Sequence, residues 1–206
     1  MKFFMYVPWG DDDRLIQSAA AYCERIDYRK GQYSSVELID KTRLAEVDTG
    51  DMLYITGHGD SGDNNIYGCA GQKLTAGQLA GQFDGTLDTG HQTIKMWVCF
   101  SADGMTYKKG LAYSFWQEMR ALGFGSLTVY GYRYVIMDPL TPKQKHTHAF
   151  RVKEGFKSVT ETPELLEELP GTAQHWRTGI DPSGRIIPPK PLPRKKTQLT
   201  DEDALY

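Results

Sequence analysis

The sequence predicts an α/β domain built on a mainly parallel sheet. Three observations carry that expectation: apolar runs of strand length, amphipathic helical stretches alternating with them, and Gly, Asp or Asn at the junctions. The chain has 206 residues, the size of one ordinary domain or of one domain with a tail. Lys and Arg total 24 against 26 Asp and Glu, a formal charge of -2, which argues against duplex nucleic-acid binding. Hydrophobic residues make up 40% and charged residues 24%, enough apolar material to bury a core. No run of about 18 apolar residues occurs, so no membrane-spanning helix is expected.

Residues 3–8 read as a first, buried strand. The apolar opening Met1-Lys2-Phe3-Phe4-Met5-Tyr6-Val7 stops at Pro8-Trp9-Gly10 and Asp11-Asp12-Asp13, so it reads as folded chain rather than a cleaved leader. A cytoplasmic-type chain follows as the expectation, with any secretion left to a dedicated system. Residues 14–26 carry a helical pattern, and Asp11–Asp13 stand where carboxylates cap exposed N–H groups and favour the helix dipole. Residues 36–39 and 52–56 are strand candidates. The second of these stops at Gly57-His58-Gly59-Asp60.

Residues 75–83 form a modest helix capped by Thr75 and weakened by Gly77 and Gly81. Residues 93–98 are the next strand, ending at Cys99-Phe100-Ser101-Ala102-Asp103-Gly104. Leu111, Phe115, Met119 and Leu122 share one face of a helix over 111–122 that ends near Gly123. Residues 127–135 supply a further strand. Beyond it, 136–159 holds strand-like pieces, and 163–169 reads as a short acidic helix. From 181 the composition changes: five of the ten prolines and five basic residues fall in 181–197, which reads as an extended tail.

Two strands each deliver one reactive side chain at a carboxyl end, His58 after Met52-Leu53-Tyr54-Ile55-Thr56-Gly57 and Cys99 after Ile94-Lys95-Met96-Trp97-Val98. Ligands of open parallel sheets sit outside those ends, so the pair is expected to share a cleft. A free thiol needs a nearby base to become a nucleophile, and imidazole is suited to that task. Gly59 leaves room for a carbonyl to approach the backbone, and the N–H groups of Gly59 and Cys99 are the expected donors to an oxyanion. The three cysteines are an odd number without paired spacing, which suits reduced thiols; Cys23 and Cys69 read as ordinary residues. His91 reads as a solvated loop residue. His146 and His148 have a ligand-like spacing but no partners to complete a metal site, so no metal is expected. Gly57-x-Gly59 lacks the third glycine of a dinucleotide fingerprint.

An apolar strand ending in His58-Gly59, followed by one ending in Cys99, resembles the clan CD cysteine peptidases. These include caspases, legumains, gingipains, clostripains, separases, the autoprocessing domains of bacterial toxins and the CHAT domains. Leu74-Thr75-Ala76-Gly77-Gln78-Leu79-Ala80 looks like the helix start between the two catalytic strands of that group. Leu127-Thr128-Val129-Tyr130-Gly131-Tyr132 looks like the strand after its catalytic cysteine, nearest in flavour to the toxin-type and CHAT-type members. The resemblance covers about residues 3–135. It implies a caspase-like three-layer α/β/α sandwich over 1–180, with 181–206 as a Pro/Lys-rich tail.

The implied activity is a cysteine endopeptidase with Cys99 as nucleophile, His58 as general acid and base, and Gly59 with Cys99 at the oxyanion hole. The implied substrate is a protein or peptide, and the setting is that of a bacterial effector or autoprocessing protease. Residues around the pocket for the side chain before the cut would be Asp11, Trp97, Tyr130, Tyr132 and Arg133. They leave the preference open: an acidic wall suits Lys or Arg, Arg133 suits an acidic residue, and the aromatics suit an apolar one. Val98 stands where many members carry a small residue, and the acidic residue that orients the histidine in toxin-type members has no match. No cofactor is required for thiol chemistry; an inositol polyphosphate, the activator of toxin-type members, is left open by the basic Lys143, Lys145, Arg151, Lys153 and Lys157 but is not expected, since scattered charge is usually surface. The tail from Pro188 to Lys196 is a candidate for partner binding. Two alternatives stand beside the peptidase: a caspase-like domain that binds without cutting, and a flavodoxin-like small-molecule module.

Overall fold

A computed structural model of the chain describes residues 1–27, 33–105, 109–137, 148–152, 166–170 and 173–192. The first half alternates β1 (Phe3–Tyr6), α1 (Asp13–Asp27), β2 (Val36–Ile39), a 3-10 turn (Lys41–Glu46) and β3 (Met52–Thr56). A hairpin of β4 (Asn65–Tyr67) and β5 (Lys73–Thr75) then leads into α2 (Ala76–Ala80), β6 (Thr93–Trp97), α3 (Leu111–Ala121) and β7 (Thr128–Tyr132). The remainder contains β8 (Val135–Met137), β9 (His148–Val152), β10 (Leu166–Glu168), β11 (Arg177–Ile180) and β12 (Ile186–Ile187).

Seven strands form the central sheet in the order β12-β11-β7-β6-β3-β1-β2. The five from β2 to β7 run parallel, and β11 and β12 close one edge in antiparallel pairing. This is an α/β fold with a mostly parallel sheet. Alternation along each strand splits its side chains between two cores. Phe4, Tyr6, Leu53, Ile55, Ile94, Met96 and Val129 pack beneath α2 and α3, where Tyr6, Phe83 and Phe115 meet edge to face at 5.2 and 5.7 Å. Phe3, Met5, Val7 and Tyr54 pack against Leu15, Ala19 and Tyr22 of α1 on the other face. Helices thus lie on both faces of the sheet.

Several local expectations change. The strand expected over 127–135 is two strands: β7 ends at Tyr132, and the chain turns at Arg133-Tyr134 before β8 joins a separate three-stranded sheet, β10-β9-β8. Of the acidic helix expected over 163–169, the described part is β10, antiparallel to β9 with Glu167 opposite Arg151 and an ion pair of 2.7 Å between them. Cross-strand opposite charges support that pairing, whereas three residues are too few to sustain a helix. At 181, where the extended tail was expected to begin, Asp181 anchors a turn: its carboxylate accepts from the Ser183 and Arg185 N–H groups, and β12 returns alongside β11. The helix at 75–83 is shortened to one capping box, in which Thr75 and Gln78 bond each other's backbone, followed by tight turns to Phe83. His146, most of the basic residues Lys143, Lys145, Lys153 and Lys157, and the tail from Pro193 lie outside the described residues.

His91 overturns its expectation of solvation. The ring is 0% exposed, with Nε2 2.9 Å from the Thr93 carbonyl and Nδ1 3.2 Å from the Asp48 carbonyl. A neutral ring donates only once, so the shorter contact takes the proton. Burial holds this imidazole below its ordinary value, against the pull of the two carbonyls. The folded state therefore resists a proton that the unfolded chain accepts near pH 6.5. Stability should fall as pH drops from 7 through 6.5 towards 5. Thermal midpoints across that range are expected to show this slope, and His91→Gln, which keeps one donor without a titrating ring, is expected to flatten it.

Candidate active site

The sheet order reverses at β1, whose neighbours are β2 on one side and β3 on the other. Chains leaving the carboxyl ends of β1 and β3 part there, the usual ligand position in such sheets. Three segments meet at this edge: the start of α1 after β1, the His58 segment after β3, and the Cys99 segment after β6.

Thr56 stands opposite Trp97 in the parallel β3–β6 pair, so the segments that carry His58 and Cys99, each two residues further on, leave the sheet at the same level. The His58 backbone is held by two hydrogen bonds with Tyr67: its N–H donates at 2.8 Å and its carbonyl accepts at 2.9 Å. Its ring is exposed. Gly59 presses against the Cys99 segment so closely that a Cβ there would collide with the Cys99 carbonyl oxygen and a Val98 methyl. Only glycine fits.

The Cys99 turn is tightly built. Phe100 has φ 55, a conformation that bulky residues rarely adopt. It is stabilised by N–H donation from Phe100 to the Tyr134 carbonyl and from Ala102 to the Tyr132 carbonyl, at 3.2 and 2.9 Å. Ser101, 1% exposed, is the pin: its hydroxyl donates to the Val98 carbonyl at 2.7 Å and accepts the Tyr132 N–H at 3.0 Å. The Cys99 residue is half-buried, with Sγ 3.4 Å from the Ile136 nitrogen, which donates to it, and 3.7 Å from the Ile136 carbonyl. Burial pushes this thiol up; the N–H groups of Ile136 and of Cys99 itself oppose that push without cancelling it.

The imidazole of His58 meets a different sulfur. Its Nε2 lies 3.2 Å from Sγ of Cys69, at the tip of the β4–β5 hairpin, and no hydrogen bond joins it to Cys99 among the described residues. Cys69 is in turn gripped by Asp12, 2% exposed, whose carboxylate accepts the Cys69 N–H at 2.5 Å and the Leu15 N–H at 3.0 Å. Burial pushes the Asp12 carboxyl up, but these two N–H groups, the Cys69 thiol and the charge of His58 together hold it below the usual range. Burial first, and the Asp12 charge second, push the Cys69 thiol up.

His58, Gly59 and Cys99 are thus brought to one edge. Trp97 lies beneath them, half-buried, with its ring 4.6 Å from Tyr22, 6.2 Å from Tyr54 and 5.5 Å from Tyr132. Tyr132 is 2% exposed and belongs to the core under the Cys99 sulfur, not to an open pocket wall. Tyr130 is half-buried one step down the sheet, covered by the Arg177 guanidinium at 4.7 Å. Arg133 is exposed in the turn after β7. Asp11 is exposed, while its neighbour Asp12 is the carboxylate turned into the site. Sequence reasoning read Asp12 with its two neighbours as helix caps or an acidic pocket wall, and Cys69 as ordinary; the structure bears out the cap at Leu15 and adds the Cys69 N–H. Among the described residues no group of three or more His, Cys, Asp or Glu side chains is placed to hold a metal ion, and no helix is long and apolar enough to cross a membrane.

The class defined by this fold is an α/β protein with a mostly parallel seven-stranded sheet and a thiol, an imidazole and a buried carboxylate at its carboxyl edge. No protein-family model matches the chain, and no curated protein matches it.

Gly59→Ala tests the close approach of the two strand ends. The added methyl meets backbone that cannot rotate away, so the substitution should cost about 1–3 kcal/mol in denaturant unfolding, as overpacking does. Ala at Gly10, where nothing lies within 4 Å, is the control and should be far milder.

Proposed function

We propose that the chain is a cysteine endopeptidase of caspase-like fold, with Cys99 as nucleophile and His58 as general acid and base. The observation that supports this reading is the in-register end of the parallel β3–β6 pair, beyond which the backbone at Gly59 closes onto the Cys99 segment. In the reaction the Cys99 sulfur bonds to the carbonyl carbon of a peptide and its proton passes to His58. Collapse of the tetrahedral intermediate breaks the C–N bond, and His58 returns the proton to the leaving amine. Water, deprotonated by His58, then attacks the thioester and releases the acid and the Cys99 thiol. The N–H groups of Gly59 and Cys99 are assigned to the oxyanion. Catalytic contacts in a free enzyme are often loose and tighten with substrate. Here the sulfur must leave Ile136 to attack.

A second reading, a domain of this fold that binds peptides without cutting them, is favoured by one observation: the Cys99 sulfur is engaged by Ile136 and sits over Tyr132 and Trp97. A peptide acyloxymethyl ketone separates the two, since it labels Cys99 only in a competent site.

Purified protein screened against fluorogenic peptides varied at the residue before the cut is expected to release fluorophore. Cys99→Ala should abolish turnover with unfolding free energy changed by no more than about 1–2 kcal/mol. Hydrolysis retained by that variant would remove Cys99 from the mechanism. His58→Ala should lower the rate by roughly two to four orders of magnitude, the usual contribution of general acid–base catalysis; unchanged turnover would remove His58.

A further inference from the structure

One row of paired residues crosses the sheet from Tyr54 of β3 through Lys95 of β6 and Tyr130 of β7 to Gly179 of β11. Tyr54 belongs to the cluster packed on α1, so the row lies on that face. The apolar packing reaches Trp97 of β6; two residues earlier, on the same face of the same strand, stands Lys95. β6 is the middle strand of the seven, so Lys95 has no sheet edge beside it. The residue is half-buried, with Nζ 5.1 Å from the centre of the Tyr54 ring. On the other side of β7, Arg177 of β11 lays its guanidinium 4.7 Å over Tyr130, whose ring lies across Gly179 where a Cβ would strike it. Strands on either side of β7 thus bring one cation each to Tyr130. Neither cation has a carboxylate partner among the described residues, where the ion pairs are those of Arg43, Arg151 and Arg185. Burial first, then the charges of Arg177 and the exposed Lys190, lower the Lys95 ammonium.

We infer that Lys95 and Arg177 form a binding site for a doubly charged oxyanion, a single phosphate group, between Tyr54 and Tyr130 on the α1 side of the sheet. A half-buried cation without a counter-charge is costly, and tyrosine faces offset only part of that cost. An apolar side chain on the middle strand would avoid it, so the pair is explained by an anion that both cations share. Charge and shape select the class. Two cations balance one dianion, whereas a single carboxylate leaves one of them unmatched. Arg177 offers a planar fork that two phosphate oxygens fit, and Lys95 adds a point charge. Both side chains already rest on ring faces, so little freedom is lost when the anion arrives. Trp97 separates this row from Cys99 along β6, and the site does not depend on the peptidase reading.

The test is calorimetric titration of the full chain with inorganic phosphate and with phenyl phosphate, at fixed ionic strength in chloride. Saturable binding with one site per chain is expected. Lys95→Met and Arg177→Gln should each weaken it by about tenfold or more, the usual loss for a charge-assisted hydrogen bond. Lys41→Met, which removes an exposed charge beyond β2, should leave it unchanged. A second measurement needs no titration: without ligand Lys95→Met should unfold at a higher temperature than the wild type, and phosphate should raise the midpoint of the wild type alone. Tighter binding of phenyl phosphate would assign the site to a phosphate monoester stacked on the tyrosines, and equal binding to free phosphate; either supports the oxyanion site. No saturable binding of either probe, binding kept at wild-type strength by both Lys95→Met and Arg177→Gln, or an equal loss in Lys41→Met overturns it.

Discussion

Parallel pairing of β3 with β6 is the constraint on which the site depends. Parallel strands finish at one edge of the sheet, and equal register brings the segments that follow them out at one level. The pairing of Thr56 with Trp97 thereby settles where His58 and Cys99 emerge. Its slack is small. The backbones approach until Gly59 touches the Cys99 carbonyl, and neither segment can shift without losing the Tyr67 bonds on one side or the Ser101 bonds on the other.

Rigidity around the sulfur comes from backbone bonding as much as from packing. Ser101 satisfies the Val98 carbonyl and the Tyr132 N–H at once, and its own carbonyl accepts from Ala112 at the start of α3 at 2.8 Å. One buried hydroxyl residue thus joins β6, β7 and α3. Gly131 makes this possible, because a side chain there would displace the Ser101 hydroxyl. The unfavourable φ of Phe100 is tolerated within that frame, in keeping with the tendency of strained backbone to persist only where the surroundings over-determine it.

The face beneath the site is aromatic and cationic. Trp97 is ringed by Tyr22, Tyr54 and Tyr132, and next to it Lys95 lies 5.1 Å from the Tyr54 ring while Arg177 lies over Tyr130. Burial, then the neighbouring charges of Arg177 and Lys190, lower the Lys95 ammonium to about 7. Tyrosine faces offset part of the cost of burying these cations.

Strand and helix identities were legible in the sequence wherever a period repeated: Met52–Thr56, Thr93–Trp97 and the Leu111–Ala121 helix follow directly from apolar spacing. So were His58, Gly59 and Cys99 as strand-end residues, because a polar, reactive residue directly after a buried run is conspicuous in one dimension. Periodicity could not divide β7 from β8, since both halves of 127–135 are apolar and the division is made by which sheet each half joins. Nor could it bury His91, whose carbonyl partners at Asp48 and Thr93 assemble only when β3 and β6 lie side by side. Asp12 and Cys69 needed the tertiary structure most. Asp12 is one of three consecutive aspartates, distinguishable only by which one the α1 start turns inward, and Cys69 acquires meaning only when the β4–β5 hairpin folds back over the end of β3. Local spacing determined which residues each strand end presents; three-dimensional convergence decided which partners they met.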